Sequence, residues 1–190
     1  DRARDFITSG KRHPFLGRYT LGFDDEGPIE GLDLELHSDG GYSLDLSAPV
    51  LHRALFHAAN AYHLPAARIV GRVCKTNMCS HTAFRGFGGP QGMIMIEEAL
   101  DRVARALGIA PDVVRERNFY RPGQTRHFVQ EVGDAERIQR IWGDLKGSSE
   151  HDARRVAIDA FNAGSANVKR GLAITPVKFG ISFTATFYNQ

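Results

Sequence analysis

The sequence predicts an α+β fold, with antiparallel or mixed strands and several packed helices. Three observations predict it. Leu32, Leu34 and Leu36 alternate with Asp33, Glu35 and His37, the period-2 pattern of a strand with one buried face. Ile96, Ala99, Leu100, Val103 and Leu107 recur at helical spacing. Strands and helices follow one another without an internal repeat or a low-complexity tract.

Residues 14–23 and 28–37 flank Asp24-Asp25-Glu26-Gly27, a polar turn, and form a predicted hairpin. Gly40-Gly41 breaks it, and Tyr42, Leu44 and Leu46 resume the alternation as a third short strand. Ser47 suits a helix N-cap, with Pro49 in the first turn. Leu51, Leu55, Ala58 and Tyr62 carry that helix to Leu64-Pro65. Residues 68–76 are β-branched and read as a buried strand. The clearest helix spans roughly 90–107, with Gly108 as its C-cap, and a shorter one follows over 111–118. Two further helices are expected near 134–146 and 149–163, the first presenting Ile138, Ile141, Trp142 and Leu145, the second opened by Ser149. The end, 171–177 and 179–188, reads as strand.

With 190 residues, 42% hydrophobic and 24% charged, the chain has the composition of a soluble globular protein. A net charge of +2 gives no reason to invoke nucleic acid or an anionic membrane surface. No apolar run is long enough for a membrane span, and the first residues lack a signal-peptide pattern. Cys74 and Cys79 are too few for a disulfide framework and read as reduced thiols of a cytoplasmic protein. The eight histidines show no HExxH spacing, so no metal ligand is assigned. Ending at Phe187-Tyr188-Asn189-Gln190, at the edge of an apolar stretch, the chain reads as a segment of a larger subunit.

The stretch with most chemistry is Thr82–Gly92, TAFRGFGGPQG. Two aromatics and an arginine are interleaved with glycines directly before a helix, and Pro90 fits that helix's first turn. Glycine allows close backbone approach, and a helix N-terminus attracts anions. Neither phosphate fingerprint fits, however: G-x-x-x-x-G-K-[ST] is absent, and Gln91 stands where G-x-G-x-x-G needs its third glycine. The loop therefore presents Phe84, Arg85 and Phe87 to something flat and something negative, and a nucleotide-phosphate module is disfavoured.

Arg53 lies off the apolar stripe near its helix N-terminus, where a cation opposes the dipole. By itself it reads as a solvated arginine; the alternative is a guanidinium aimed at a carbonyl or developing oxyanion. Glu97 and Glu98 read as dipole-favoured surface carboxylates rather than a general base.

TAFRGFGGPQG, preceded by RVCKTN at 72–77, resembles the molybdenum-cofactor subunit of the xanthine dehydrogenase and xanthine oxidase family. GKRHPFLGRY at 10–19, RALFH at 53–57 and KRGLAITPVKFGISFT at 169–184 continue the match collinearly. The resemblance makes residues 1–190 a partial molybdenum-binding domain of the aldehyde oxidase and xanthine dehydrogenase type, with 82–92 its active-site loop. It implies that Phe87 stacks on a purine face and that Phe183 meets the purine edge-on. It also implies that Arg53 binds a purine carbonyl and stabilises charge during hydroxylation. Thr184 and Phe84 then line the substrate pocket, and Arg85 lies beside the molybdopterin.

The family's activity is hydroxylation of purines such as hypoxanthine and xanthine with water. Electrons pass through iron–sulfur clusters to FAD and, in dehydrogenase forms, to NAD. The implied partners are the purine, the rest of the molybdenum subunit and the iron–sulfur and FAD parts, in a homodimer of the complete enzyme. The resemblance places the catalytic glutamate, a second purine-binding glutamate and most molybdopterin contacts on other segments, so the piece alone is expected to be inactive. His52 stands where relatives carry an acidic residue, and Pro49 where some carry serine, which leaves fine substrate preference open. An aldehyde oxidase relative, lacking an arginine at position 53, and a non-catalytic scaffold segment are the competing expectations.

Overall fold

The structure, a computed structural model, describes residues 1–180. Among the described residues there are six helices and a three-stranded mixed sheet of order β1-β2-β3, with α2 and α3 packed on the sheet. Strands β1 (Phe15–Phe23) and β2 (Ile29–Gly41) form the expected antiparallel hairpin, with Tyr19 opposite Leu34. Its turn is built by Asp24, whose Oδ1 accepts the N–H groups of Glu26 and Gly27, each at 2.8 Å. Gly27 takes φ of 100°, a conformation that favours glycine. Leu32, Leu34 and Leu36 point inward, as their alternation requires.

The chain then crosses through α2 (Ser47–His57) to β3 (Ala67–Lys75), which pairs with β2 in parallel, Leu34 opposite Ile69. Helix α3 (Gly89–Leu107) buries Ile96, Ala99, Leu100 and Val103 and ends on Gly108 at φ 69°. Helix α4 (Pro111–Arg117) follows, and α5 (Glu136–Ser148) and α6 (His151–Gly164) pack on each other. An unforeseen short helix, α1 (Arg2–Thr8), opens the chain, its first turn capped by the Asp1 carboxylate on Ala3 N–H.

Several expectations fail for local reasons. No third strand forms at 42–46: Gly41 and Asp45 adopt φ of 77° and 41°, the chain turns away, and Tyr42 and Leu44 stand exposed. Ser47 is the first helical residue rather than a cap, and its hydroxyl meets His13 Nε2 at 2.8 Å. Likewise Ser149 does not open α6; Glu150, at φ 52°, takes that place. Helix α2 stops at His57 instead of running to Leu64, because Asn60 turns left-handed at φ 43°. Residues 171–177 lie along the protein without joining a sheet.

The helices expected near 134–146 and 149–163 form, but their apolar faces stay largely open. Trp142 is buried against Phe119, whereas Ile141, Leu145 and Val156 are exposed, Val156 by 70%. Nothing among the described residues covers that face. No helix among the described residues is long and apolar enough to cross a membrane.

Candidate active-site wall

Helix α3 begins against the backbone of α2. A β-carbon on Gly88 would stand 2.0 Å from the Val50 carbonyl oxygen, and one on Gly92 would stand 2.1 Å from that of Ala54. No side chain fits at either position, so Gly88 and Gly92 are the reason the two helices meet so closely. Their close approach is to the α2 backbone. Gly88 also needs its φ of 98°. The contact sets the loop beside the helix turn that carries Arg53.

Arg53 is only 5% exposed, which overturns the reading of it as a solvated arginine. Burial pulls its pKa below the usual guanidinium value, although a guanidinium stays charged throughout the working pH range. Its Nη1 donates to the Gly180 carbonyl at 2.8 Å, and the guanidinium lies over the Phe179 ring at 5.1 Å. Phe179 in turn packs on the His57 ring, centroids 4.9 Å apart, and against Gly89, where a β-carbon would come within 2.7 Å of its ring. Arg53, His57, Gly89, Phe179 and Gly180 therefore converge.

Sequence reasoning missed His57 and Phe179 of this group, and Asn60 beside it. His57 accepts from the Gly180 N–H through Nε2 at 3.2 Å, and its Nδ1 meets the Arg53 carbonyl at 2.9 Å. Burial is the largest of the effects that hold its pKa down at about 4, and the nearby cations Arg53, Lys178 and Arg126 add to it. Asn60, also buried, donates to the Pro176 carbonyl at 2.8 Å and accepts from Lys178 N–H at 3.0 Å. Phe179 was hidden inside a stretch expected to be strand. The signal available was the spacing 53, 57, 60, one polar stripe on a helical face.

On the loop itself, Phe87 is half-buried at φ 48°, a strained conformation for an aromatic residue that costs roughly 1–3 kcal/mol. Its N–H bonds back to the Phe84 carbonyl at 2.7 Å, closing a tight turn. Phe84 is 57% exposed, with the Arg12 guanidinium 4.5 Å over its ring. Arg12 also donates to the Arg85 carbonyl at 2.5 Å and reaches Gln91 Oε1 at 3.5 Å, bracing the loop from the segment before β1. Phe183 and Thr184 lie outside the described residues.

Glu97 is not a surface carboxylate. Its Oε1 accepts from Asn60 and the Tyr62 hydroxyl at 2.8 and 2.7 Å, and its Oε2 pairs with buried Arg115 at 2.8 Å. Glu98, paired with Arg102 at 2.8 Å, does sit on the surface as expected.

The loop 82–92 offers an anionic group one cation, Arg85. The Arg85 side chain is exposed and forms no ion pair among the described residues, and it stands four residues before the start of α3. In the first turn of that helix the Gly89 and Gly92 N–H groups bond to the Gly86 and Gly88 carbonyls at 2.8 and 3.1 Å, and Pro90 has no N–H, so the cation is the loop's main attraction for an anion. An exposed guanidinium there suits a phosphate or a similarly charged group.

A Gly-rich loop thus enters a helix beside a buried arginine whose guanidinium lies over a phenylalanine ring. Residues 1–119 match the molybdopterin cofactor-binding domain family, and the chain belongs to it. Over all 190 residues the chain is 47% identical to xanthine dehydrogenase 1 of Arabidopsis thaliana. It is likewise 47% identical to xanthine dehydrogenase/oxidase of Gallus gallus and 45% to xanthine dehydrogenase of Dictyostelium discoideum. It spans about 14% of the length of each. Among solved structures, the aldehyde oxidoreductase of Desulfovibrio desulfuricans superposes with a TM-score of 0.70 at 28% identity, over 78% of this chain and 16% of that one. Quinoline 2-oxidoreductase of Pseudomonas putida shares the fold, with a TM-score of 0.71 at 24% identity, over 86% of this chain and 22% of that one.

Proposed function

We propose that this segment forms one wall of the active site of a molybdenum-dependent oxidoreductase of the xanthine dehydrogenase type, which hydroxylates hypoxanthine and xanthine. The observation that carries the reading is the buried guanidinium of Arg53, held over Phe179 beside the glycine loop. Burying a cation is unfavourable unless it meets partners, and a guanidinium carries five N–H donors in a planar fork suited to acceptor oxygens. A purine carbonyl is a fitting acceptor, and the contact strengthens as negative charge develops on that oxygen.

In this reading Phe87 and Phe183 hold the purine between a face and an edge, an arrangement aromatic quadrupoles favour. Phe84 and Thr184 complete the pocket, and Arg85 binds at the edge of the pterin. When bound, the molybdenum–molybdopterin group supplies two-electron oxidation of a ring carbon with oxygen from water. The complete enzyme carries iron–sulfur clusters and FAD, uses NAD, and forms a homodimer. Free Cys74 and Cys79 suit its cytoplasmic setting.

The similarity to an aldehyde oxidoreductase favours a second reading, an aldehyde-oxidising hydroxylase with the same cofactor. Arg53 distinguishes the two, since a simple aldehyde has no second carbonyl for it to hold. The test is the kcat/KM of the complete, molybdenum-loaded enzyme on xanthine, hypoxanthine and benzaldehyde. Purines exceeding benzaldehyde by tenfold or more is the expected result. The reverse order would establish the aldehyde reading, and no turnover of either by loaded enzyme would favour a scaffold.

A further inference from the structure

Arg12, three residues before β1, reaches the glycine loop at three points. Its Nη2 donates to the Arg85 carbonyl at 2.5 Å, its Nη1 lies 3.5 Å from Gln91 Oε1 in the first turn of α3, and its guanidinium lies 4.5 Å over the Phe84 ring. The adjacent backbone follows the same loop: the Lys11 carbonyl accepts from the Thr82 N–H at 3.1 Å, and the His13 carbonyl from Gln91 Nε2 at 3.3 Å. Arg12 forms no ion pair among the described residues, so its guanidinium is directed at a carbonyl, an amide and a ring face rather than at an acid. Gly86, Phe87 and Gly88 take φ of 88°, 48° and 98° in succession, and at a phenylalanine such backbone persists only where its surroundings over-determine it. Phe84 is 57% exposed, and an exposed ring moves among staggered rotamers unless something holds it.

We propose that Arg12 is a positioning residue for substrate binding: by holding the Phe84 ring and the Arg85 carbonyl at once, it fixes the ring that the loop presents to the substrate. This rests on the proposed function, in which Phe84 lines the purine pocket. The contacts use the planarity of the side chain more than its charge. One nitrogen of the fork takes the carbonyl, the second faces Gln91, and the flat face covers the ring. A lysine ammonium keeps the charge, but it is a point donor on a flexible stem and cannot bond the carbonyl and lie flat on the ring together. Methionine keeps a long stem and supplies neither contact.

The test places Arg12→Met and Arg12→Lys in the complete enzyme, each alone and together with Phe84→Ala. The readouts are KM and kcat for xanthine, molybdenum content, and hydrogen exchange of the peptide spanning 82–90, which carries the Phe87 and Gly89 N–H groups bonded within the loop. For Arg12→Met the expected result is KM raised tenfold or more, kcat changed less than threefold, unchanged molybdenum content and faster exchange at 82–90. Phe84→Ala by itself should raise KM likewise. Arg12→Lys should stay within threefold of the methionine variant, because charge without the planar fork does not hold the ring. On the Phe84→Ala background either change at Arg12 should raise KM less than threefold further, since the ring it acts through is gone. Lysine keeps the charge and most of the length, so it is decisive where the methionine variant fails to assemble. KM restored by lysine, a tenfold rise persisting beside Phe84→Ala, an unchanged KM in either single variant, or parallel loss of kcat and molybdenum would each overturn the proposal. Failure of the wild type itself to oxidise xanthine would instead bring down the proposed function, a separate outcome from any variant-specific result.

Discussion

The ring of Phe179 occupies the space beside Gly89: a β-carbon at 89 would lie 2.7 Å from its Cε2. The first helical glycine of α3 thus sets the ring over which Arg53 lies. Because the obstructing atom ends a side chain on a partly exposed segment, Gly89→Ala should be accommodated by moving Phe179. We expect stability within about 1 kcal/mol of wild type and a raised KM for xanthine with molybdenum retained. Denaturant titration and steady-state kinetics on one preparation check both.

Gly88 and Gly92 meet backbone rather than side chain, and their substitution should behave differently. Gly92→Ala places a methyl group 2.1 Å from the Ala54 carbonyl oxygen, so α2 and α3 must separate. In an open helical position the change would stabilise by roughly 0.5–1 kcal/mol. Here it should destabilise by about 1–3 kcal/mol, the range for overpacking. Gly143→Ala in α5, where nothing lies within 4 Å, is the control and should be neutral or stabilising. Urea midpoints of the two variants decide the comparison.

Arg115 lies buried between Glu97 and Asp101, at 2.8 and 2.9 Å. Arg115→Met removes the cation and leaves Glu97, already bound by Asn60 and Tyr62, with an uncompensated charge. A loss of about 3–5 kcal/mol is expected. Adding Glu97→Gln to it should recover part of that loss, which a double-mutant cycle in denaturant measures.

Acid should weaken the fold through two histidines. His57 and His127 are both held down to about 4 in the folded protein, chiefly by burial, against an ordinary value of 6.5. Between these values the unfolded chain binds more protons than the folded one. Their contribution is therefore fully present above about pH 6.5 and declines as the pH falls toward 4. Unfolding free energies at pH 7, 6 and 5 should fall in that order, and His57→Gln should flatten the dependence.

The hairpin and α3 were legible in the sequence because each has one inward face and periodicity reports burial; the return strand was found from its β-branched residues, but none of it is buried, against the buried strand expected. Arg53 was misjudged for the same reason. Its position off the apolar stripe of α2 pointed to solvent, whereas that second face is covered by residues 176–180, over a hundred positions away. Tyr42 and Leu44 had strand spacing but follow left-handed Gly41, and backbone conformation outweighed their alternation. Glu97 looked like a dipole-favoured surface acid, and only tertiary contact with Tyr62 and Arg115 reveals its half-buried structural role. Of the site residues named from the resemblance, the structure sets Arg53 beside the loop through Gly88 and Gly89, and ties Phe84 and Arg85 to Arg12.

Replacing Arg53 in the complete enzyme tests the central claim most directly. Arg53→Met keeps the length of the stem and removes the charge. If the guanidinium stabilises a purine carbonyl as charge develops, kcat/KM for xanthine should fall about a hundredfold, on the order of 3 kcal/mol, while benzaldehyde turnover and molybdenum content hold. Xanthine turnover left intact by Arg53→Met would contradict the account.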